Sequence, residues 1–255
     1  MSASDARGLH APRRREVGAG DGLLGLEVTE QAQELSQAQL VERVDVLTGG
    51  ASAVYGADAV IAMPPYTLRP DAETIYAYYQ AINDVVDIPI WIQNASICPL
   101  SADQTVQLCT ELENVSWVKE EVPPSTKNIS RLLAKQSPHV EGVMGGGGGR
   151  PMIAEWARGS SGVVHACQFC DVVQRVWELL DENKMDEAGD LYEKVLPALV
   201  LEGMMGMACA KEIMVRRGVF NNHRVRSRAH PLDAYDMAEI DRVWERIQPY
   251  LIWGN

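Results

Sequence analysis

The stretch VSWVKEEVPPST, residues 115–126, holds the feature that decides how this chain folds. Its first four residues are mostly apolar and include a β-branched pair, which is typical of a buried strand. A Pro-Pro pair then ends the strand, because proline cannot donate to a sheet ladder. Lys119 comes directly after the apolar run, with two glutamates behind it. A lysine at the end of a buried strand is unusual, so its surroundings in the chain need explanation.

Outward from this stretch, short apolar runs alternate with helical patterns at intervals of roughly 25 residues. We interpret five runs as strands: ADAVIAMPPY (57–66), IPIWIQNA (88–95), VSWVKEE (115–121), VEGVMGGGGGR (140–150) and GVVHACQF (162–169). Helices are predicted between them, over 71–86, 101–113, 127–136 and 151–159. Such alternation indicates parallel βα units, and continuous apolar runs indicate strands covered on both faces. A doubly wound sheet and a (β/α)8 barrel both satisfy this pattern.

The last 85 residues follow a different pattern, because three long segments there are helical throughout. We therefore divide the chain into a flexible tail (1–22), an α/β body (23–170) and a C-terminal helical extension (171–255). Methionines 204, 205, 207 and 214 are interpreted as a core stripe of this extension.

Composition narrows the possible functions. The chain has 255 residues, 46% of them hydrophobic, and a net charge of −12, which disfavours nucleic-acid partners. No apolar run approaches the roughly 20 residues that span a bilayer. Five cysteines without framework spacing favour a reduced compartment, which we take to be the cytoplasm, although the Arg-rich start also allows a mitochondrial presequence. The CQFC segment, Cys167 to Cys170, is interpreted as two small buried residues, since a zinc site needs further ligands.

In a parallel α/β body, functional groups gather at the carboxyl ends of the strands. Those ends contribute Tyr66, Gln93, Lys119 with Glu120, the pentaglycine 145–149 and Gln168. Desolvation favours the neutral amine of a lysine, which can attack a ketone and form a Schiff base. Alternatively, the lysine pairs with a following glutamate in a surface loop. The glycines allow a ligand to approach the backbone, and a nucleotide loop is the weaker interpretation because the G-K-[ST] ending is missing.

These segments together resemble one family. GADAVIAMPPYTLRP, YYQAINDVVDIPIWIQNAS, NVSWVKEEVPPSTKNIS and GGGGGRPMIAEWARGSSGVVHACQF are similar, in family order, to the dihydrodipicolinate synthase and N-acetylneuraminate lyase family of class I (β/α)8 lyases. The resemblance runs from about residue 56 to the C-terminus, and GLEVTEQAQELS (25–36) is weakly similar to an earlier family turn.

The resemblance implies roles for particular residues. Lys119 takes the place of the Schiff-base lysine at the end of strand six, and Tyr66 that of a tyrosine after strand four. Thr29 matches a threonine of the carboxylate-binding turn. The glycines, of which Gly145, Gly146 and Gly147 are expected to bind substrate, match a loop that faces the substrate.

Departures from the family pattern reduce the number of family activities that this chain is expected to have. Gln93 stands where the family has its proton-relay tyrosine, and no arginine for a second carboxylate follows in QNASICPLS. The form of strand six is similar to the branch that dehydrates 2-keto-3-deoxy sugar acids. At the N-terminal side, no strand one is evident and only about eight residues separate the segments taken as strands three and four, whereas a parallel crossover needs a dozen or more. We therefore expect a barrel that is incomplete on that side.

The sequence thus predicts a Schiff-base lyase, an aldolase or dehydratase, that acts on a 2-keto acid. Lys119 is the expected amine, and Tyr66, Gln93 and Glu120 are candidates for proton transfer or substrate orientation. The resemblance implies a homo-oligomer, a dimer or tetramer, with neither metal nor organic cofactor. The alternative is a catalytically impaired relative that serves as a binding or oligomer-forming subunit.

Overall fold

A computed structural model describes residues 58–66, 70–226 and 231–252. In these ranges, five strands form one parallel sheet in chain order: β1 (Val60–Ala62), β2 (Ile90–Asn94), β3 (Val115–Glu120), β4 (Gly142–Gly145) and β5 (Gly162–Val163). All five lie inside the segments predicted as strands. Strands in chain order with right-sized crossovers are what repeated βα units produce.

A helix follows each of the first four strands. These are α1 (Ala72–Asn83), α2 (Ala102–Glu111), α3 (Ser125–Leu133) and α4 (Met152–Trp156). Local capping fixes where the first two begin. The Asp71 side chain accepts from the backbone N–H of Thr74, and Ser101 and Gln104 form a reciprocal capping box at the start of α2.

The register of the sheet sorts side chains onto two faces. Ile92, Val118 and Val143 are fully buried, and Val118 and Val143 pack against α3. On the opposite face, Gln93 of β2 is paired in register with Lys119 of β3, which is paired with Met144 of β4. Because side chains alternate along a strand, Lys119 points away from the helix layer.

The fifth strand is shorter than predicted. The segment 162–169 gives only the two residues of β5, and a 3₁₀ turn (Cys167–Phe169) follows. Its neighbour β4 ends at Gly145, and the backbone N–H of Val164 makes the last ladder bond, to the Gly145 carbonyl at 2.7 Å. The apolar residues beyond this point therefore leave the sheet.

The C-terminal part contains α5 (Cys170–Asp181), α6 (Met185–Met205), α7 (Met207–Arg216) and α8 (Ala234–Ile247). A core cluster of side chains from α5 to α8 and α4 holds them together. Among the helices within the described ranges, none combines the length and apolar character that a bilayer crossing requires. The expected tail (1–22) and the first part of the body (23–57) lie outside the described residues.

The predicted methionine stripe is wrong in part. Met214 is buried, whereas Met204 and Met207 are 74% and 59% exposed. Gly206 lies between α6 and α7 with φ of +65°, a conformation that ends the first helix. The helical periodicity therefore does not continue across residues 204–207.

Candidate active site

Lys119 lies near the carboxyl end of β3, and its side chain is only 12% exposed. Its Nζ contacts the Oε1 of Glu121 at 2.8 Å. The other carboxylate oxygen of Glu121 accepts from the Nε2 of Gln93, also at 2.8 Å. Lysine, glutamate and glutamine thus form one connected polar group at the end of two neighbouring strands.

Strand geometry explains this grouping. Lys119 and Glu121 are two residues apart, so both side chains leave the strand on the same face. The backbone N–H of Glu121 bonds the Asn94 carbonyl at 2.8 Å, which extends the β2–β3 ladder by one residue and fixes the carboxylate beside the lysine. Sequence reasoning considered Glu121 only as a partner in a solvated loop. The two-residue spacing from Lys119 is the sequence signal from which its place in the site could have been predicted.

Glu120 lies on the other face and is not part of this group. It is buried against the helix layer, where the Nδ2 of Asn94 donates to its Oε2 at 2.7 Å and the backbone N–H of Val122 donates to its Oε1 at 2.8 Å. Burial raises the pKa of the Glu120 carboxyl, against the opposing effect of the Asn94 hydrogen bond. The expectation that Glu120 shares the site with Lys119 is thereby corrected, because consecutive strand residues point to opposite faces.

The glycines at the end of β4 make room for carboxylates. A Cβ built on Gly146 would lie 2.0 Å from the Cγ of Glu121, and one on Gly145 would lie 1.8 Å from the Oε2 of Glu155. Real Cβ atoms do not approach other atoms so closely, so any side chain at these positions displaces its neighbour. A Cβ on Gly147 would meet the ring of Pro151 at 2.9 Å. Packing therefore explains why these positions are glycine, whether or not a ligand binds there.

Glu155 is a second buried carboxylate, carried by α4. It is fully buried, and the hydroxyl of Ser125 donates to its Oε1 at 2.8 Å. Its Oε2 finds no hydrogen-bond partner among the described residues. Burial raises the pKa of the Glu155 carboxyl, and the Ser125 hydrogen bond only partly opposes this. The residue ties α4 to the start of α3 behind the sheet.

The remaining expected site residues are placed as follows. Tyr66 is half-buried and packs against the core cluster formed by β1, β2, α1 and α2. Thr29 lies outside the described residues. Gln168, in the 3₁₀ turn after β5, is buried, and its backbone carbonyl accepts from Arg217 at 2.6 Å.

A lysine that projects from the inner face of a parallel βα sheet at a strand's carboxyl end is the arrangement that class I aldolase-type lyases use to form a Schiff base. A family model described as the dihydrodipicolinate synthetase family matches residues 45–245. The chain belongs to the dihydrodipicolinate synthetase family, which confirms the resemblance seen in the sequence.

Individual relatives are similar over much of the chain. An L-2-keto-3-deoxyarabonate dehydratase from Azospirillum brasilense is 29% identical over 207 residues, covering 78% of this chain and 67% of the relative. A 4-hydroxy-tetrahydrodipicolinate synthase from Chlorobium luteolum is 26% identical over 196 residues, covering 74% of this chain and 65% of the relative. The chain thus spans about two thirds of the length of each of these relatives.

Solved structures agree on the fold. Dihydrodipicolinate synthase from Rhodopseudomonas palustris superposes with a TM-score of 0.70 at 22% identity, covering 76% of this chain and 67% of that one. The enzyme from Aquifex aeolicus gives a TM-score of 0.68 at 19% identity, covering 80% of this chain and 69% of that one. These neighbours confirm the (β/α)8 barrel, the fold class that the family resemblance implied and one of the two that the strand-helix alternation allowed.

Proposed function

We propose that this protein is a Schiff-base lyase that dehydrates a 2-keto-3-deoxy sugar acid. The observation that carries the proposal is the contact of 2.8 Å between the Lys119 amine and the Glu121 carboxylate. It places a nucleophile and a proton acceptor side by side on the inner face of the sheet. Family membership and the similarity to a 2-keto-3-deoxyarabonate dehydratase support the choice of substrate class.

Lys119 begins the reaction as the attacking amine. Glu121 takes a proton from the ammonium, and the free amine adds to the C2 carbonyl of the 2-keto acid. Glu121 returns its proton to the hydroxyl of the carbinolamine, which leaves as water, and the resulting protonated imine draws electrons from the neighbouring carbon.

Glu121 then acts as the acid-base group of the elimination. Its carboxylate is near enough to the imine nitrogen to remove a proton from C3, which gives an enamine. The enamine electrons expel the C4 hydroxyl, and the protonated Glu121 supplies the proton with which it leaves as water. One carboxylate can serve both steps, since the proton that it takes is the proton that it returns.

Gln93 has an orienting role in this scheme. A glutamine cannot donate or accept a proton as an acid or base at neutral pH. Its Nε2 does hold one oxygen of Glu121 at 2.8 Å, which leaves the other oxygen directed at Lys119. Because a glutamine replaces the family tyrosine, proton transfer in this scheme falls to the Glu121 carboxylate, one residue past β3.

Trapping of the imine tests the proposal without knowledge of the natural substrate. We expect that pyruvate and borohydride add a stable 1-carboxyethyl group to Lys119, detected by peptide mass spectrometry, and that Lys119→Arg removes the labelling. Lys127→Ala and Lys135→Ala are matched controls on and just beyond α3 and keep the labelling. Labelling of Lys127 in the parent protein, or none at Lys119, contradicts the mechanism.

The alternative function, a non-catalytic subunit, gives a distinct result in the same experiment. Such a protein would keep its fold and leave Lys119 unmarked at millimolar pyruvate. A circular-dichroism melting curve on the same sample shows whether the protein was folded, so that missing labelling is not mistaken for a denatured preparation.

A further inference from the structure

A second reactive group lies outside the lysine site, in the CQFC segment after β5. The sequence interpretation of two buried cysteines is wrong for Cys167, which is exposed, and Cys170 is half-buried. The other three cysteines, Cys98, Cys109 and Cys209, are buried. Burial raises the pKa of the Cys109 thiol to about 12 and that of Cys209 to about 11, so both are held as unreactive thiols.

The backbone brings the two cysteines of the pair together. The N–H of Cys170 donates to the carbonyl of Cys167, which closes a four-residue turn with the pair at its first and last positions. The ends of a turn of this kind have Cα atoms less than about 7 Å apart. Disulfides need Cα separations of roughly 4.4–6.8 Å, so the turn holds the pair close to the range required.

The turn is anchored on its buried side. The Gln168 carbonyl accepts from Arg217 at 2.6 Å, and Arg217 also forms a buried ion pair with Asp171 at 2.5 Å. Phe169 packs into the core cluster of the C-terminal helices. With both intervening residues fixed, the backbone of the two cysteines is held close before any bond forms, and the entropy cost of closing the ring is correspondingly small.

A metal site is the other common use of this spacing. In the described ranges, no His, Cys, Asp or Glu joins the pair in a group of three or more that could hold an ion. A structural zinc site requires four ligands. The chemistry that remains for a C-x-x-C pair beside a βα unit is thiol–disulfide exchange.

We propose that Cys167 and Cys170 form a redox-active pair that exchanges with low-molecular-weight disulfides such as glutathione disulfide. The exposed Cys167 thiolate attacks one sulfur of the disulfide, forms a mixed disulfide and releases one glutathione thiolate. Cys170 then loses its proton and attacks the sulfur of Cys167, which forms the internal disulfide and releases the second glutathione. The protein loses two electrons and two protons, and the glutathione disulfide becomes two thiols.

The test uses the full, reduced protein incubated with glutathione disulfide, followed by denaturation, alkylation of the remaining thiols and mass spectrometry. We expect three alkylated cysteines of the five in the chain, and a peptide with Cys167 and Cys170 that is two hydrogen atoms lighter. Dithiothreitol should restore five alkylated cysteines. Five alkylated cysteines after oxidation, or a disulfide between two protein molecules, overturns the proposal.

Single substitutions separate the two roles. Cys170→Ser should stop at the mixed disulfide, with one glutathione retained on Cys167. Cys167→Ser should react with glutathione disulfide at least about tenfold more slowly, because Cys170, the thiol of the pair that remains, is half-buried. Cys209→Ser is the matched control and should form the same internal disulfide as the parent protein. Retention of glutathione on Cys167 in the parent protein contradicts a resolving role for Cys170.

Discussion

Gly146→Ala is the sharpest perturbation of the proposed acid-base group, because it moves Glu121 without touching the lysine. The new Cβ would lie 2.0 Å from the Cγ of Glu121, whereas carbon atoms in contact are about 3.5–4.0 Å apart. The carboxylate must therefore shift by about 1.5 Å or more. Such a shift breaks the contact of 2.8 Å with Lys119, and a 1 Å misplacement of a reacting group can cost about 100-fold in rate.

The assay follows the methyl protons of pyruvate by NMR in D₂O, because their exchange requires removal of a proton from the carbon beside the imine. We expect Gly146→Ala to slow this exchange about 100-fold, while borohydride still traps the imine on Lys119 after longer incubation. The matched control is Gly189→Ala in α6, where an added Cβ meets nothing within 4 Å. An exchange rate in Gly146→Ala within threefold of the parent, in a protein that melts normally, refutes the role given to Glu121.

Three further outcomes follow from the structure. Glu155→Gln should become more stable relative to the parent as the pH rises from about 4.5 to 7, measured by urea denaturation. Burial raises the pKa of the Glu155 carboxyl, so its contribution to the stability of the parent is fully present below the ordinary pKa of 4.5. The parent loses that contribution as the pH rises through the raised pKa, whereas glutamine does not titrate. Arg217→Ala should cost about 3–5 kcal/mol of unfolding free energy, measured in the same way, because it leaves Asp171 as a buried, uncompensated charge. Condensation of pyruvate with aspartate semialdehyde should stay at background in a coupled absorbance assay, since the segment QNASICPLS after β2 offers no arginine for a second carboxylate; robust synthase activity would show that the substrate branch is misassigned.

Local rules made much of this molecule predictable. Apolar runs bounded by proline and polar residues identified all five described strands, and the caps at Asp71 and Ser101 fixed the starts of two helices. The same reasoning placed Lys119 at the carboxyl end of a buried strand. These features depend on residues a few positions apart, so a single sequence contains the information that determines them.

Other features depend on contacts between distant segments. Glu121, not Glu120, meets the lysine, because the ladder from Asn94 continues for one residue past β3 and holds the second glutamate on the inner face. Gly145 and Gly146 are explained by two carboxylates that pack on them, Glu155 from α4 and Glu121 from the residue after β3. Residues that approach from elsewhere in the chain leave no local pattern, and the glycines alone suggested a ligand.

The sequence by itself thus determined the order of βα units, the family and the position of Lys119 at the end of a strand. Only the tertiary structure decided which carboxylate contacts that lysine, which methionines are exposed and which cysteines solvent can reach. The hydrophobic periodicity of a segment predicts on which face of its strand or helix a side chain lies. Burial and pairing are set by what another segment places against that face, and this information lies in the packing of the whole chain.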